Sequence, residues 1–498
     1  LSGCCTLAVK LNKDMNLSLK NRSGWILTLL FCFSSLVPAN AQKRYTVMGI
    51  GDSITEGSPD FSAYLYPLWR MLFSSGYDVE FIGPRTCKCR VTHIKCSATG
   101  GTTVEYAESK IDSIYRAYPA DIILLHGGHN HFAEEKPIPG IIAAQESIIS
   151  KIRAINPKVR ILVAQVITSG KLPKYSYIPE LNREIAKMVK RQHSENVILV
   201  NQAKGFDWRK YTVKDKVHPN QAGAEKMAGV WFKTLKKIMI PSTPAFKPEI
   251  VSYKTSDTCD LKLHIFKPAG IRKGEKRPVI VFFFGGGWSY GTPLQFYREC
   301  TYYASKGIVA IAADYRINFL NKTTAFESVA DARDAIRWIR MHALHLNADT
   351  ARIAAAGASA GGHLAAVTGI IDEKPVGKVS SKADLLLLYY AVVDNSNRGY
   401  GSDAIKERYQ EISPIHNINP QSPATLFILG TKDPIVSVQT ARDFVAKLRD
   451  NGVYGELHLV EGAGHPIFSY TQPLTDVFYR IRELTDAFLD KNGYFTGF

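Results

Sequence analysis

No run of about twenty apolar residues occurs in the body of this 498-residue chain, which argues against a transmembrane span there. Dense basic clusters are also absent, although 62 Lys and Arg outnumber 45 Asp and Glu and the formal net charge is +17. Positive charge scattered in this way reads as solvated surface, so nucleic acid is not expected as a partner. No repeat relates the two halves of the chain. Cysteine is scarce, with eight residues in all. Cys4, Cys5 and Cys32 fall near the N-terminus, leaving Cys87, Cys89, Cys96, Cys259 and Cys300. Cys87, Cys89, His93 and Cys96 lie close together, but their C-x-C-x6-C spacing is not that of a usual structural zinc site, so no metal is assigned. A local disulfide to Cys96, with its partner open, is the expectation for an exported chain. Cys259 and Cys300 are either buried thiols or a pair.

What is present begins with ordinary globular composition, 45% hydrophobic and 21% charged, enough for large cores. Residues 1–41 read as a presequence. Lys20 and Arg22 supply a positive segment, residues 25–37 a short apolar run, and Ala39-Asn40-Ala41 a cleavage signal. Cleavage there starts the mature chain near Gln42, with no stable membrane span, and Met15 is an alternative translation start. The chain then belongs in the periplasm or outside a bacterium. Removing residues 1–41 takes away four positive charges and one negative and leaves +14.

Two alternating strand and helix series follow. In residues 42–240, apolar strand-like runs occur at 45–51, 78–83, 121–126, 159–167 and 197–201, with helical stretches at 141–155 and 178–193. Residues 241–248 hold three prolines and cannot continue a helix, so they read as a linker. In residues 249–498, strand-like runs occur at 279–284, 308–313, 351–356, 385–390, 425–429 and 457–460, with helices at 325–343 and 438–450. Alternation of this kind predicts two α/β domains, each with a mostly parallel sheet covered by helices on both faces.

In the first series Ser53, in Gly51-Asp52-Ser53-Ile54-Thr55-Glu56-Gly57, directly follows a strand. Carboxyl ends of strands line the ligand crevice of such sheets. A serine is a weak nucleophile until a histidine base and an orienting acid stand beside it. Asp215 and His218, in Asp215-Lys216-Val217-His218-Pro219-Asn220, are spaced to meet within one turn. Gly101 and Asn130 are candidate oxyanion donors, through a backbone N–H and a side-chain amide. These four pieces in this order resemble the SGNH (GDSL-type) hydrolases over residues 44–240, and among them the acetylxylan-esterase-like carbohydrate esterases. The resemblance implies a flavodoxin-like three-layer sandwich, Ser53 as nucleophile, His218 as base, Asp215 as its orienter, and Gly101 and Asn130 as oxyanion hole. Where the family usually reads G-x-N-D, this chain has His131 after Asn130.

In the second series Gly357-Ala358-Ser359-Ala360-Gly361 lies between a strand-like run and a helical one, the G-x-S-x-G context of a strained nucleophile turn. The N–H of Ala360 and those of Gly286 and Gly287, in a glycine loop after an earlier strand, are the candidate oxyanion donors. The acid and base follow in chain order as Asp433 and His465, each just past a strand-like run, with Asp394 a rival acid. "GGGW", "DYR", "AIRWIR", "GASAGGHLA" and "GHPIF" resemble the α/β-hydrolase superfamily, closest to hormone-sensitive-lipase-like, feruloyl and acetylxylan esterases. Phe284 stands where the glycine loop usually carries histidine.

Together the two resemblances imply an exported two-domain serine esterase that needs no metal or organic cofactor. Its substrate would be an acylated polysaccharide or oligosaccharide such as xylan, with acetyl removal by the first domain and acetyl or feruloyl removal by the second. Two alternatives stand beside this one. They are a general carboxylesterase or lipase, and one active esterase domain joined to a non-catalytic carbohydrate-binding domain. Oligomeric state is left open.

Overall fold

A computed structural model describes residues 44–495 apart from 257–258, 273, 374–378 and 469–474. The presequence expectations therefore lie outside the described residues. Seven strands build the first sheet: β1 (Tyr45–Gly51), β2 (Val79–Phe81), β3 (Arg85–Thr86), β4 (Lys95–Ala98), β5 (Ile122–His126), β6 (Arg160–Gln165) and β7 (Val197–Asn201). Their order is β3-β4-β1-β5-β6-β7, with β2 also paired to β1. All pairings are parallel except β3 with β4. β5 is buried along its whole length, as a strand covered on both faces must be. The covering helices are amphipathic. In the helix Ile178–Arg191, Ile178, Leu181, Ile185, Met188 and Val189 face inward at helical spacing.

The second sheet has eight strands: β8 (Glu249–Ser256), β9 (Cys259–Phe266), β10 (Arg277–Phe283), β11 (Val309–Ala313), β12 (Ala348–Ala358), β13 (Leu385–Tyr389), β14 (Thr425–Gly430) and β15 (Gly455–Val460). The order is β15-β14-β13-β12-β10-β11-β9-β8. β8 and β9 form an antiparallel edge, and the other six strands run parallel. The helix Ala360–Ile370 is buried at every position, which its small and apolar residues permit. The helix Ala325–Met341 opens on a capping box between Thr324 and Glu327.

Each predicted strand is present, within a few residues of its expected bounds. Three features depart from the sequence expectations. The short pair β3–β4 and the edge pair β8–β9 lack long apolar runs and were not anticipated. The expected disulfide does not form, because Cys87, Cys89, Cys96, Cys259 and Cys300 are all free thiols. Cys87 instead shares a hydrogen bond with Cys96, and burial helps push its thiol far above the usual range. Residues 241–248 are not a loose tether. The N–H groups of Ser242 and Thr243 donate to Gly76 O, Phe246 N–H donates to Ser74 O, and the Phe246 ring lies between Phe73 and Tyr297. The described residues from Arg44 onward form one compact body.

Candidate active sites

β1 ends at Gly51, and the chain turns at once into a short helix, Ser53–Glu56, capped by the Asp52 carboxylate on Ile54 N–H at 3.0 Å. This leaves Ser53 at the carboxyl end of the parallel sheet. Asp215 and His218 reach it from a turn closed by Val213 N–H on His218 O and by a bridge between Thr212 and Pro219. Ser53 Oγ lies 2.8 Å from His218 Nε2, and His218 Nδ1 lies 2.5 Å from Asp215 Oδ2. The other carboxylate oxygen, Asp215 Oδ1, accepts the N–H groups of Val217 and His218. Burial pushes the Asp215 carboxyl up, but these hydrogen bonds, the His218 side chain's foremost, outweigh it and hold the group below its usual range. Phe61 stacks on the His218 ring at 4.0 Å.

The oxyanion candidates adjoin the glycine turn that packs on Ser53, Gly101 as its next residue and Asn130 through its bond to Thr102 O. Gly100 is the glycine packed on Ser53, since a Cβ there would stand 3.5 Å from Ser53 Cβ. Its N–H is taken by Glu56 Oε2 at 2.6 Å. Glu56 is buried and paired with Arg85 and Lys88, so it anchors the glycine turn. Gly101, the next residue, has φ +77 and faces open space, and its N–H has no partner among the described residues. Asn130 also takes a left-handed φ of 71. One of its two amide N–H bonds goes to Thr102 O at 2.9 Å, which ties it to the same turn and leaves the second for a ligand. His131 sits between Glu105, at 3.1 Å, and Glu135, at 3.4 Å, and so secures the loop after β5. Neither Glu56 nor Phe61 was singled out from the sequence. A lone acid inside a glycine turn and a lone aromatic carry no spacing signal.

In the second sheet, β12 runs into the buried helix Ala360–Ile370 through Ser359, whose φ 54 and ψ −121 are strained for any residue with a side chain. The flanking glycines are required sterically. A Cβ on Gly361 would come within 2.1 Å of Phe283 O, and one on Gly357 within 2.3 Å of Gly361 O. His465 Nε2 lies 2.8 Å from Ser359 Oγ, and His465 Nδ1 lies 2.7 Å from Asp433 Oδ2. Asp433 Oδ1 accepts the N–H groups of Ile435 and Val436. Burial raises the Asp433 carboxyl, yet the hydrogen bonds from His465 and these two amides keep it below its usual range. The rival acid, Asp394, is buried elsewhere. It accepts Ser396 N–H and faces His416 at 4.0 Å.

Gly286 and Gly287 line a cleft of about 450 Å³ together with Ser359 and His465. Gly286 O accepts the N–H groups of Ser289 and Tyr290, which folds the glycine loop back on itself. Ala360 follows Ser359 as the first residue of its helix. Gln295 Oε1 holds Gly285 N–H at 2.8 Å, and Tyr390 presents its ring edge-on to His465 at 4.8 Å while its hydroxyl donates to Phe468 O. Gln295 and Tyr390 were also not anticipated, because their roles depend on contacts between distant segments.

Residues 50–226 match the GDSL-like Lipase/Acylhydrolase family, and residues 263–398 match the BD-FAE family. The chain is 30% identical over 215 residues to Esterase LipC of Mycobacterium tuberculosis, covering 38% of this chain and 52% of that protein. It is 34% identical over 110 residues to Carboxylesterase NlhH of the same species, covering 22% of this chain and 33% of that one. It thus spans about half the length, or less, of these curated relatives. A solved structure of a thermophilic esterase from Thermogutta terrifontis, Est2, is 38% identical, with 50% of this chain and 96% of that chain covered and a TM-score of 0.47.

Proposed function

We propose, for a chain that carries a GDSL-like domain followed by a BD-FAE α/β-hydrolase domain, that both domains are working serine carboxylic-ester hydrolases acting on one acylated polysaccharide. The observation that carries this reading is the presence of two complete Ser-His-Asp relays, each with serine and histidine at 2.8 Å. In each, the histidine Nε2 takes the serine proton as Oγ attacks the ester carbonyl. The carboxylate on Nδ1 holds the productive tautomer and stabilises the imidazolium. The tetrahedral oxyanion is received by Gly101 and Asn130 in the first site, and by Gly286, Gly287 and Ala360 in the second. Collapse, with the imidazolium giving its proton to the departing alkoxide oxygen, expels the alcohol, leaves an acyl-serine and restores the neutral histidine. Water, deprotonated by the same histidine, then releases the acid.

The first domain is assigned removal of O-acetyl groups and the second removal of acetyl or feruloyl groups, from a plant-cell-wall polymer such as xylan. This assignment follows from the resemblance of "GDSITEG" with "HPN" to acetylxylan-esterase-like enzymes and of the second half to feruloyl and acetylxylan esterases. Two activities on one chain suit a polymer with more than one ester, because binding through one site raises the local concentration of the other. The presequence directs the protein out of the cytoplasm, where such polymers are met.

The test is hydrolysis of acetylated xylan and methyl ferulate by Ser53→Ala, Ser359→Ala and the double variant. Each single variant should lose one activity, and the double variant both. Unchanged activity in both single variants overturns the reading. Faster release of long-chain acyl groups than of acetate moves the substrate class to lipids. A fluorophosphonate that labels one serine only reduces the other domain to a binding role.

A further inference from the structure

The loop between β3 and β4 belongs to the first domain, yet it is built into the active site of the second. Arg90 is the link. Its Nε donates to Gly291 O at 2.8 Å, its Nη2 meets Asp314 Oδ1 at 2.9 Å, and its own carbonyl accepts Gly291 N–H at 2.6 Å. The guanidinium also faces the rings of Tyr66 and Phe284 at 5.8 and 6.0 Å. Only 15% of the Arg90 side chain is exposed. Gly291 closes the turn that starts at Gly286, so Arg90 grips the far end of the loop that holds the oxyanion candidates of Ser359. Phe284, at the near end, is stacked on Tyr315 at 4.0 Å, and its carbonyl accepts the Tyr315 hydroxyl. The loop is thus fixed at one end by its own domain and at the other by its neighbour.

The three residues after Arg90 extend this contact into the cleft. Val91, Thr92 and His93 line it together with Ser359, His465 and Tyr290. His93 is set edge-on against Trp69 at 4.6 Å, which makes this wall continuous with the first domain's core. Thr92 is exposed, at the open side.

We propose that the first domain completes the second active site, with Arg90 as the positioning residue for its glycine loop and residues 91–93 as the wall that reads the size of the ester. The inference rests on the esterase reading of Ser359. It adds that the second site is shaped by residues outside its own domain, and that its choice between small and bulky esters is set at Thr92.

The experiment uses the full chain with Ser53→Ala, so that Ser359 carries the remaining hydrolysis. Arg90→Ala, Arg90→Lys and Thr92→Trp are added to that parent, and kcat and KM are measured for 4-nitrophenyl acetate and methyl ferulate. Arg90→Ala should lower kcat at least tenfold on both esters with a smaller change in KM, and Arg90→Lys should recover part of the loss. Thr92→Trp should lower kcat/KM for methyl ferulate at least tenfold relative to the acetate. Labelling of Ser359 by a small alkyl and a bulky aryl fluorophosphonate gives a readout that does not depend on ester turnover. Thr92→Trp should slow the aryl probe selectively. If the parent hydrolyses neither ester but is labelled with that selectivity, the esterase reading fails and the shared wall stands. An Arg90→Ala variant with unchanged kcat on both esters overturns the positioning role, unaltered ester preference and unaltered probe selectivity in Thr92→Trp overturn the wall, and a parent that neither probe labels overturns the esterase reading of Ser359 and the proposal with it.

Discussion

Replacing each relay aspartate by asparagine should harm the two sites unequally. The amide keeps an oxygen for the two backbone N–H groups, but it turns an N–H toward histidine Nδ1. The ring must then switch tautomer or lose the bond, and Nε2 can no longer accept the serine proton. The electrostatic part depends on solvent. The Asp433 side chain is fully buried and His465 is 12% exposed, whereas the Asp215 side chain is 41% exposed and His218 24%. Opposite unit charges about 4 Å apart attract by about 4 kcal/mol at an effective dielectric of about 20 and by about 1 kcal/mol in water. The buried relay therefore stands to lose about 3 kcal/mol more, or about two decades in rate. Loss of the buried acid in such a relay costs about 10⁴ in kcat. Asp433→Asn in a Ser53→Ala background is expected to reach that figure, and Asp215→Asn in a Ser359→Ala background about 10². Initial rates on 4-nitrophenyl acetate, with folding checked by circular dichroism, decide it. An Asp215→Asn loss equal to or greater than that of Asp433→Asn refutes the burial argument.

Three further outcomes follow from the same geometry. Ser359→Gly should be more stable than Ser359→Ala by about 1 kcal/mol, because only glycine relieves the left-handed backbone there; equal midpoints in chemical denaturation count against stored strain. Burial raises the Asp52 carboxyl from 3.8 to about 6, so between those values the folded state binds the proton more tightly than the unfolded one. Stability should fall across that window as pH rises, by up to about 3 kcal/mol, while Asp52→Asn, which keeps an oxygen for Ile54 N–H, should lack the fall; parallel denaturation profiles from pH 4 to 7 contradict this. Asp394→Asn should leave turnover at Ser359 within about threefold of the parent, since His465 is served by Asp433; a loss of a hundredfold gives the acid role to Asp394.

Legibility from sequence followed how local each signal was. β1 has its expected bounds because a buried parallel strand is a continuous apolar run ended by turn residues, and β7, at the sheet edge with Leu199 exposed, keeps the same kind of apolar run. β3 and β4 are two and four residues long, and their pairing joins segments that carry no periodic pattern. Asp215 and His218 were readable as partners because they are three residues apart. Asp433 and Asp394 both stand beyond the carboxyl ends of parallel strands, and chain order admits either. The turn at 433–436 and the loop after β15 bring one carboxylate to His465, and the other is turned toward His416.

By itself the sequence determined the two α/β series, the glycine turns around Ser53 and Ser359, and which histidine stands beside each serine. The series and the turns follow from periodicity and glycine placement, which are local, and the histidines from motif and order along the chain, since each lies more than a hundred residues from its serine. The sequence also named Asp433 over Asp394; only the tertiary structure decided that Gly100 rather than Gly101 packs on Ser53, that the cysteines are free, and that Arg90 holds the glycine loop of the neighbouring domain. Each of these depends on contact between segments distant in sequence, which no local pattern encodes.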